Sequence, residues 1–199
     1  MLVKLTSDFA RAIEAADAEC DAAISIRTKR PYQAGIGPHT ETSTLALVRT
    51  KLATIDSTTY AKIKTDVPYP SMPRQKCDWC WTQPSGDILF IEAKMMRLMG
   101  DNGKPNDNIL CHILSPYPQQ RSALTDCQKM ARGGFSGSTA ILIYGYEYDD
   151  FPLQPVIEAF ETLASRVVTL SSASKATFRG LVHPVHQQGA AYAWTVTAR

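Results

Sequence analysis

The sequence predicts an α/β fold: a mixed β-sheet flanked by helices on both faces. Three observations carry this reading. Segments of helical and strand-like period are intermixed along the 199 residues without strict alternation, which suits a mixed rather than an all-parallel sheet. The run TAILIYGY at residues 139–146 is continuously apolar, as a strand covered on both faces must be. The composition, 44% hydrophobic and 20% charged, is that of a globular chain long enough to fill one core. No internal repeat, low-complexity tract or composition shift marks a second domain.

The elements follow in order. Residues 7–27 predict a helix, with Ser7 or Asp8 as its cap and Phe9, Ile13, Ala16, Cys20 and Ala23 or Ile24 at helical spacing. A basic break, Arg27-Thr28-Lys29-Arg30-Pro31, leads into a Gly/Pro loop ending at Pro38. A second helix is predicted over 40–55, with Leu45, Val48 and Leu52 on one stripe. Pro68, Pro70 and Pro73 mark 66–74 as a loop. Segments 75–81 and 87–95 read as a hairpin around the turn Thr82-Gln83-Pro84-Ser85-Gly86. After a turn at 100–106, a short strand is expected over 109–114, and then a helix over 118–132 that stops at Gly133-Gly134. Strand 139–146 is followed by a helix over 153–166, with Val156, Ile157, Phe160 and Leu163 inward, and by strands near 177–183 and 190–197. The expected organisation is one domain over 1–199. It comprises an N-terminal helical extension (1–38), a core (39–150) and a C-terminal helix with strands (151–199).

Charge and cysteine usage bound the function loosely. A net charge of +2 permits an anionic partner without demanding one. The first twenty residues are interrupted by Lys4, Asp8, Arg11 and Glu14, so they have neither a signal-peptide run nor a membrane span. A cytoplasmic protein with no membrane partner is expected. The five cysteines are odd in number and scattered, the pattern of reduced core thiols. Cys77-x-x-Cys80 with Cys111-His112 has the ligand types of a Cys₃His zinc site. On a strand, however, Cys77 and Cys80 point to opposite faces, and Trp79 and Trp81 favour a strand there, so no zinc is expected. His183 and His186 flank Pro184 and are expected in surface or structural roles. Gly133 to Ser138 lies between a helix and a strand, the reverse of a phosphate-cradling loop, and reads as a connector.

The chemistry concentrates at Lys76-Cys77-Asp78-Trp79-Cys80-Trp81 and at Asp87-Ile88-Leu89-Phe90-Ile91-Glu92-Ala93-Lys94. Strand alternation puts Glu92 and Lys94 on one face at the end of an apolar strand. A hairpin centred on Pro84 sets Asp78 opposite Phe90 and diagonal to Glu92, within roughly 8 Å. Two carboxylates at that spacing repel, and burying them costs several kcal/mol unless a cation intervenes. Mg²⁺ suits the position: it takes one or two carboxylates and keeps waters and a phosphate oxygen. A lysine beside it can neutralise developing charge. The constellation therefore points to phosphodiester hydrolysis.

Asp78, the hairpin and Glu92-Ala93-Lys94 together resemble the core motif of the PD-(D/E)XK nuclease superfamily. The predicted order of elements from about 40 to 146 matches that family's helix, three strands, helix, strand. The resemblance implies a restriction-endonuclease-like fold. By the same resemblance Asp78 and Glu92 bind Mg²⁺, with Mn²⁺ as a substitute, and Lys94 assists the attacking water. It also implies that Glu41, on the core-facing stripe of the second helix, joins the metal site, and that Gln120 reaches it from the following helix, on a stripe with Leu124 and Cys127. Each has a plainer reading: Glu41 complements the helix dipole, and Gln120 is a solvated residue of an amphipathic helix. The chain departs from the family pattern at Cys77, where a proline often precedes the aspartate. The expected partner is nucleic acid, in particular double-stranded DNA, gripped by Arg27, Lys29 and Arg30 and joined by Arg97, Lys104 and Arg121. A homodimer is left open. The implied activity is a metal-dependent endonuclease of restriction, phage-defence or repair type. The alternative is a non-catalytic module of the same fold that binds nucleic acid or a protein.

Overall fold

The computed structural model describes residues 1–106 and 109–199. Helices α1 (Leu2–Asp17), α2 (Glu41–Ile55) and α3 (Ser57–Tyr60) precede strands β1 (Ile63–Tyr69), β2 (Met72–Thr82) and β3 (Ile88–Arg97). Then come α4 (Cys111–Leu114), a 3-10 turn (Pro118–Gln120), α5 (Ala123–Arg132), β4 (Ser138–Tyr146), α6 (Gln154–Ala164), β5 (Thr169–Leu170), β6 (Ser174–Arg179) and β7 (Gln188–Thr197). The seven strands form one mixed sheet in the order β1-β2-β3-β4-β7-β5, with β6 also paired to β7. β3 and β4 are parallel and every other pair is antiparallel. The parallel pair needs a long crossover, and α4 and α5 supply it. Among the described residues, no helix is long and apolar enough to cross a membrane.

The sheet divides the core into two layers. On one face α1 and α2 bury Leu5, Phe9, Ile13, Val48 and Leu52 against Trp79, Trp81, Leu89, Ile91 and Leu142. On the other, α5 and α6 bury Leu124, Cys127, Met130, Ile157 and Phe160 against Phe90, Ile141, Ile143 and Trp194. The β4 run is apolar throughout because Ile141 and Ile143 meet one layer while Ala140, Leu142 and Tyr144 meet the other. The helix expected as an extension is integral to this arrangement. Phe9 of α1 packs its ring 6.0 Å from Trp79 and 5.3 Å from Tyr144, centroid to centroid.

Several predicted boundaries move, each for a local reason. The first helix ends at Asp17 instead of continuing to 27, because the Asp17 carboxylate accepts from the backbone N–H of Ile36 at 2.7 Å and of Val182 at 2.6 Å. The segment 66–74, expected as a loop, belongs largely to β1 and β2. Its prolines are tolerated because β1 is the sheet edge and Met72–Lys76 of β2 lies beyond the stretch paired with β3. The strand expected over 109–114 is the helical turn α4, in which only Ile113 is fully buried. The helix expected over 118–132 splits: Arg121 adopts a left-handed conformation (φ 48°), and Ser122 caps a new helix by accepting from Thr125 N. The hairpin register differs by two residues from one centred on Pro84. Cys80 lies opposite Phe90 and Trp79 opposite Ile91, so the same register continued places Asp78 across from Glu92 rather than diagonal to it.

Candidate active site

The site begins at a gap in the sheet. β2 pairs with β3 only from Trp79 to Thr82, whereas β4 accompanies β3 along its whole length. From Glu92 onward, one side of β3 has no partner strand among the described residues. Its backbone N–H groups still require acceptors. Asp78 Oδ2 accepts from Ala93 N at 2.8 Å, and Glu41 Oε2 accepts from Met95 N at 2.6 Å. Two carboxylates, one from β2 and one from the first turn of α2, thus occupy the place of a strand. The amides they hold are two residues apart, roughly 7 Å along the chain.

A slip in β2 aims Asp78. Cys77 and Cys80 were expected on opposite faces, yet both join the α5 layer while Trp79 joins the α1 layer. Residues two apart on a regular strand share a face, so alternation breaks between Cys77 and Trp79. The Cys77 thiol donates to Trp79 O across the break.

Alternation holds on β3 and sends Glu92 and Lys94 toward α5, where a buried ionic network receives them. The Asp126 side chain is 1% exposed and lies 3.0 Å from Lys94 Nζ. Its other oxygen pairs with Lys129. Lys129 Nζ is also 3.7 Å from Glu92 Oε1, and Lys94 Nζ is 3.6 Å from Glu41 Oε1. The Tyr69 hydroxyl donates to Glu92 Oε1. Glu41, Asp78, Glu92 and Asp126 therefore bring four carboxyl groups together beside the two ammonium groups of Lys94 and Lys129.

The acid–base balance records this burial and crowding of carboxyl groups. Burial, then the charges of Asp126 and Asp78, push the Glu92 carboxyl well above its ordinary pKa, against the pull of Lys129 and Tyr69. Burial likewise raises Glu41, although Lys94 and the Met95 amide oppose it. Burial works against the charge of Lys94, but Asp126 and Glu41 outweigh it and hold the ammonium above its usual value. Asp78 and Glu92, two carboxyl groups that line one open cleft, have the oxygen-donor chemistry that a hard divalent cation takes.

The cleft has a volume of ≈ 690 Å³. Asp78, Glu92 and Lys94 line it together with Asp126, and Arg74, Lys76, Arg121, Lys129 and Arg132 supply its positive walls. Glu41 lines a second pocket of ≈ 580 Å³ on the far side of Lys94. Gln120 does not reach the site from a helix. It is exposed in the 3-10 turn, because the stripe it was to share with Leu124 and Cys127 is broken at Arg121. It lines the second pocket instead.

Of the basic residues expected to grip nucleic acid, only Arg121 lines the cleft. Arg27, Lys29 and Arg30 are exposed beside the Ile24–Pro31 bridge, and Lys104 is exposed in a turn. Arg97 donates to Gly37 O at 2.6 Å and approaches Asp101 at 3.4 Å. Sequence reasoning missed Arg74 and Lys76. The signal is present, since Arg74, Lys76 and Asp78 recur at every second residue, but the boundary between the loop predicted over 66–74 and the strand predicted over 75–81 separates Arg74 from the other two. Asp126 and Lys129 fall within the helix predicted over 118–132, and Tyr69 within the loop predicted over 66–74, where no local pattern marks them as parts of a site.

Asp101, His183 and His186 have ligand atoms within 4.8 Å of one another. The hydrogen bonds of this cluster centre on His186, whereas His183 Nε2 is buried without a hydrogen-bond partner among the described residues. His186 uses both ring nitrogens, with Asp101 Oδ1 at 2.9 Å and Tyr148 Oη at 2.6 Å. The His183 and His186 rings stack 4.6 Å apart at 19°. Both histidines are fully buried.

No protein-family model, curated protein or solved structure matches this chain.

Proposed function

We propose that the chain is a divalent-metal-dependent nuclease of the PD-(D/E)XK type, with a restriction-endonuclease-like core, hydrolysing phosphodiester bonds in DNA. The observation that supports this best is the convergence of Asp78, Glu92 and Lys94 on the floor of a cleft whose walls carry five cations. Asp78 and Glu92 would hold Mg²⁺, with Mn²⁺ as a substitute. A divalent ion held there would stabilise negative charge on a phosphoryl oxygen and lower the pKa of a bound water.

The chain's own residues do the remaining work. Lys94, kept as an ammonium by Asp126 and Glu41, orients the attacking water and offsets charge growing on the phosphate. Asp126 positions Lys94 and does not contact substrate. Tyr69 and Lys129 fix the Glu92 carboxyl group. Arg74, Lys76, Arg121 and Arg132 hold the backbone phosphates on either side.

The test is incubation of plasmid and linear DNA with the protein in Mg²⁺, Mn²⁺ or EDTA. Metal-dependent cutting is expected, lost in Asp78→Asn and Glu92→Gln while circular dichroism is unchanged. Asn is chosen at 78 because its amide oxygen still accepts from Ala93 N. Intact DNA and RNA with every divalent ion would overturn the proposal.

A further inference from the structure

We propose that the pocket on the far side of Lys94 and Arg121 receives one unstacked nucleobase adjoining the scissile phosphate, so that the chain acts where a nucleotide is unpaired or can be flipped out. This rests on the nuclease reading above and narrows its substrate. Lys94 and Arg121 line both the cleft and the second pocket. A strand whose phosphate is gripped between them has its scissile group on the cleft side, and the attached nucleoside falls on the other.

The chemistry of the second pocket suits a base. Met95 and Ile109 give apolar surface for a ring face, while Gln119, Gln120 and His112 give donors and acceptors for its edge. Glu41 in the same pocket disfavours a second phosphate there and so favours the neutral part of a nucleotide. The volume, ≈ 580 Å³, lies within the range of small-ligand sites. A base stacked in an intact duplex cannot enter such a pocket; it must come from a single strand or be extruded.

Arg121 marks the junction with its backbone. It is one of three non-glycine residues with positive φ among the described residues, held at φ 48° and ψ 45° between the 3-10 turn and the cap of α5. Left-handed backbone is disfavoured for a long side chain, and such strain concentrates at sites that bind ligands. Glycine adopts this conformation freely, so Arg121→Gly removes the cation while easing the fold.

The experiment measures binding of fluorescein-labelled DNA strands in Ca²⁺, and their cleavage in Mg²⁺. The strands are single, fully paired, or paired except for one nucleotide; a further series carries one abasic position moved stepwise past the cut. The protein is expected to bind the single strand and the duplex with one unpaired nucleotide about tenfold tighter than the full duplex, and an abasic site at one position beside the cut should cost a similar factor. The double variant Gln119→Ala/Gln120→Ala should lose that positional dependence. Arg121→Gly should melt at or above the wild type and bind every strand more weakly. A flat abasic scan, equal affinity for the full duplex, or an unchanged scan in the double variant would overturn the inference even if cutting occurs. Absence of cutting in every divalent ion would instead overturn the nuclease reading, and the Ca²⁺ titrations would still decide whether the pocket takes a base. No binding of any strand overturns the pocket as well.

Discussion

Glu92 concentrates the conflict of the site in one side chain. It is 4% exposed, faces Asp126 and Asp78, and has its carboxyl pKa raised well above the ordinary range, first by burial. A carboxyl group whose pKa is higher folded than unfolded stabilises the fold below the unfolded value and withdraws that support as pH rises through the folded value. Glu92→Gln is therefore expected to stabilise the metal-free protein at neutral pH by about 1–2 kcal/mol. That corresponds to roughly 2–4 °C in Tm per kcal/mol for a chain of this length. The gain should shrink toward the ordinary glutamate range near pH 4.5 and grow above it, as thermal melts across pH will show. No gain at any pH would mean that Glu92 is better compensated than its neighbours suggest. At this scale Glu92 and Lys94 were legible in the sequence, since alternation alone assigns their face. Asp126, Lys129 and Tyr69 were not, because their approach depends on how α5 and β1 dock on the sheet, which no local pattern encodes.

At the scale of elements, breaks set the site as much as regular structure does. The α5 helix begins at Ser122 because Arg121 cannot continue a right-handed helix in its left-handed conformation. The Ser122 hydroxyl accepts from Thr125 N at 3.1 Å and donates to Ser115 O at 2.5 Å, with the side chain fully buried. Ser122→Ala is expected to cost about 1–2 kcal/mol. Urea unfolding measures this; a cost below a few tenths would show the cap to be dispensable. The sequence showed α2, the 75–95 hairpin, β4 and α6 nearly in place, through the Leu45, Val48 and Leu52 stripe of α2, the apolar runs of the hairpin and β4, and the apolar inner face of α6. It hid β1 and the start of β2 behind three prolines that an edge position tolerates. It also merged the 3-10 turn with α5, since a backbone of positive φ at an arginine leaves no trace in composition.

At the scale of the molecule, the two ends of the chain close the structure around the middle. α1 fills the core beside Trp79, β7 pairs with β4, and Asp17 binds the Ile36 and Val182 amides that join the two ends. His183, in the same C-terminal segment, lies fully buried against His186, near Asp101, Arg97 and Asp17. Burial, with His186 and Arg97, lowers its pKa, and the nearby Asp101 and Asp17 only partly restore it. A histidine kept neutral in the fold protonates more readily when unfolded, so stability should fall as pH drops through about 6.5, the unfolded value. Chemical denaturation between pH 7.5 and 5 checks the sign; stability that rises on acidification would contradict it. The α/β class and the mixed sheet were legible from the sequence. The integration of the N-terminal helix was not, because its partners lie far along the chain.

The side of β3 left without a partner strand from Glu92 onward has a consequence beyond chemistry. A strand with unanswered amides is a template for pairing with another copy of itself. Asp78 and Glu41 occupy those amides with negative charge, so they also guard against self-association. Losing them to alanine would disarm the cleft and open an adhesive edge at once, whereas asparagine and glutamine would disarm it and keep the edge closed.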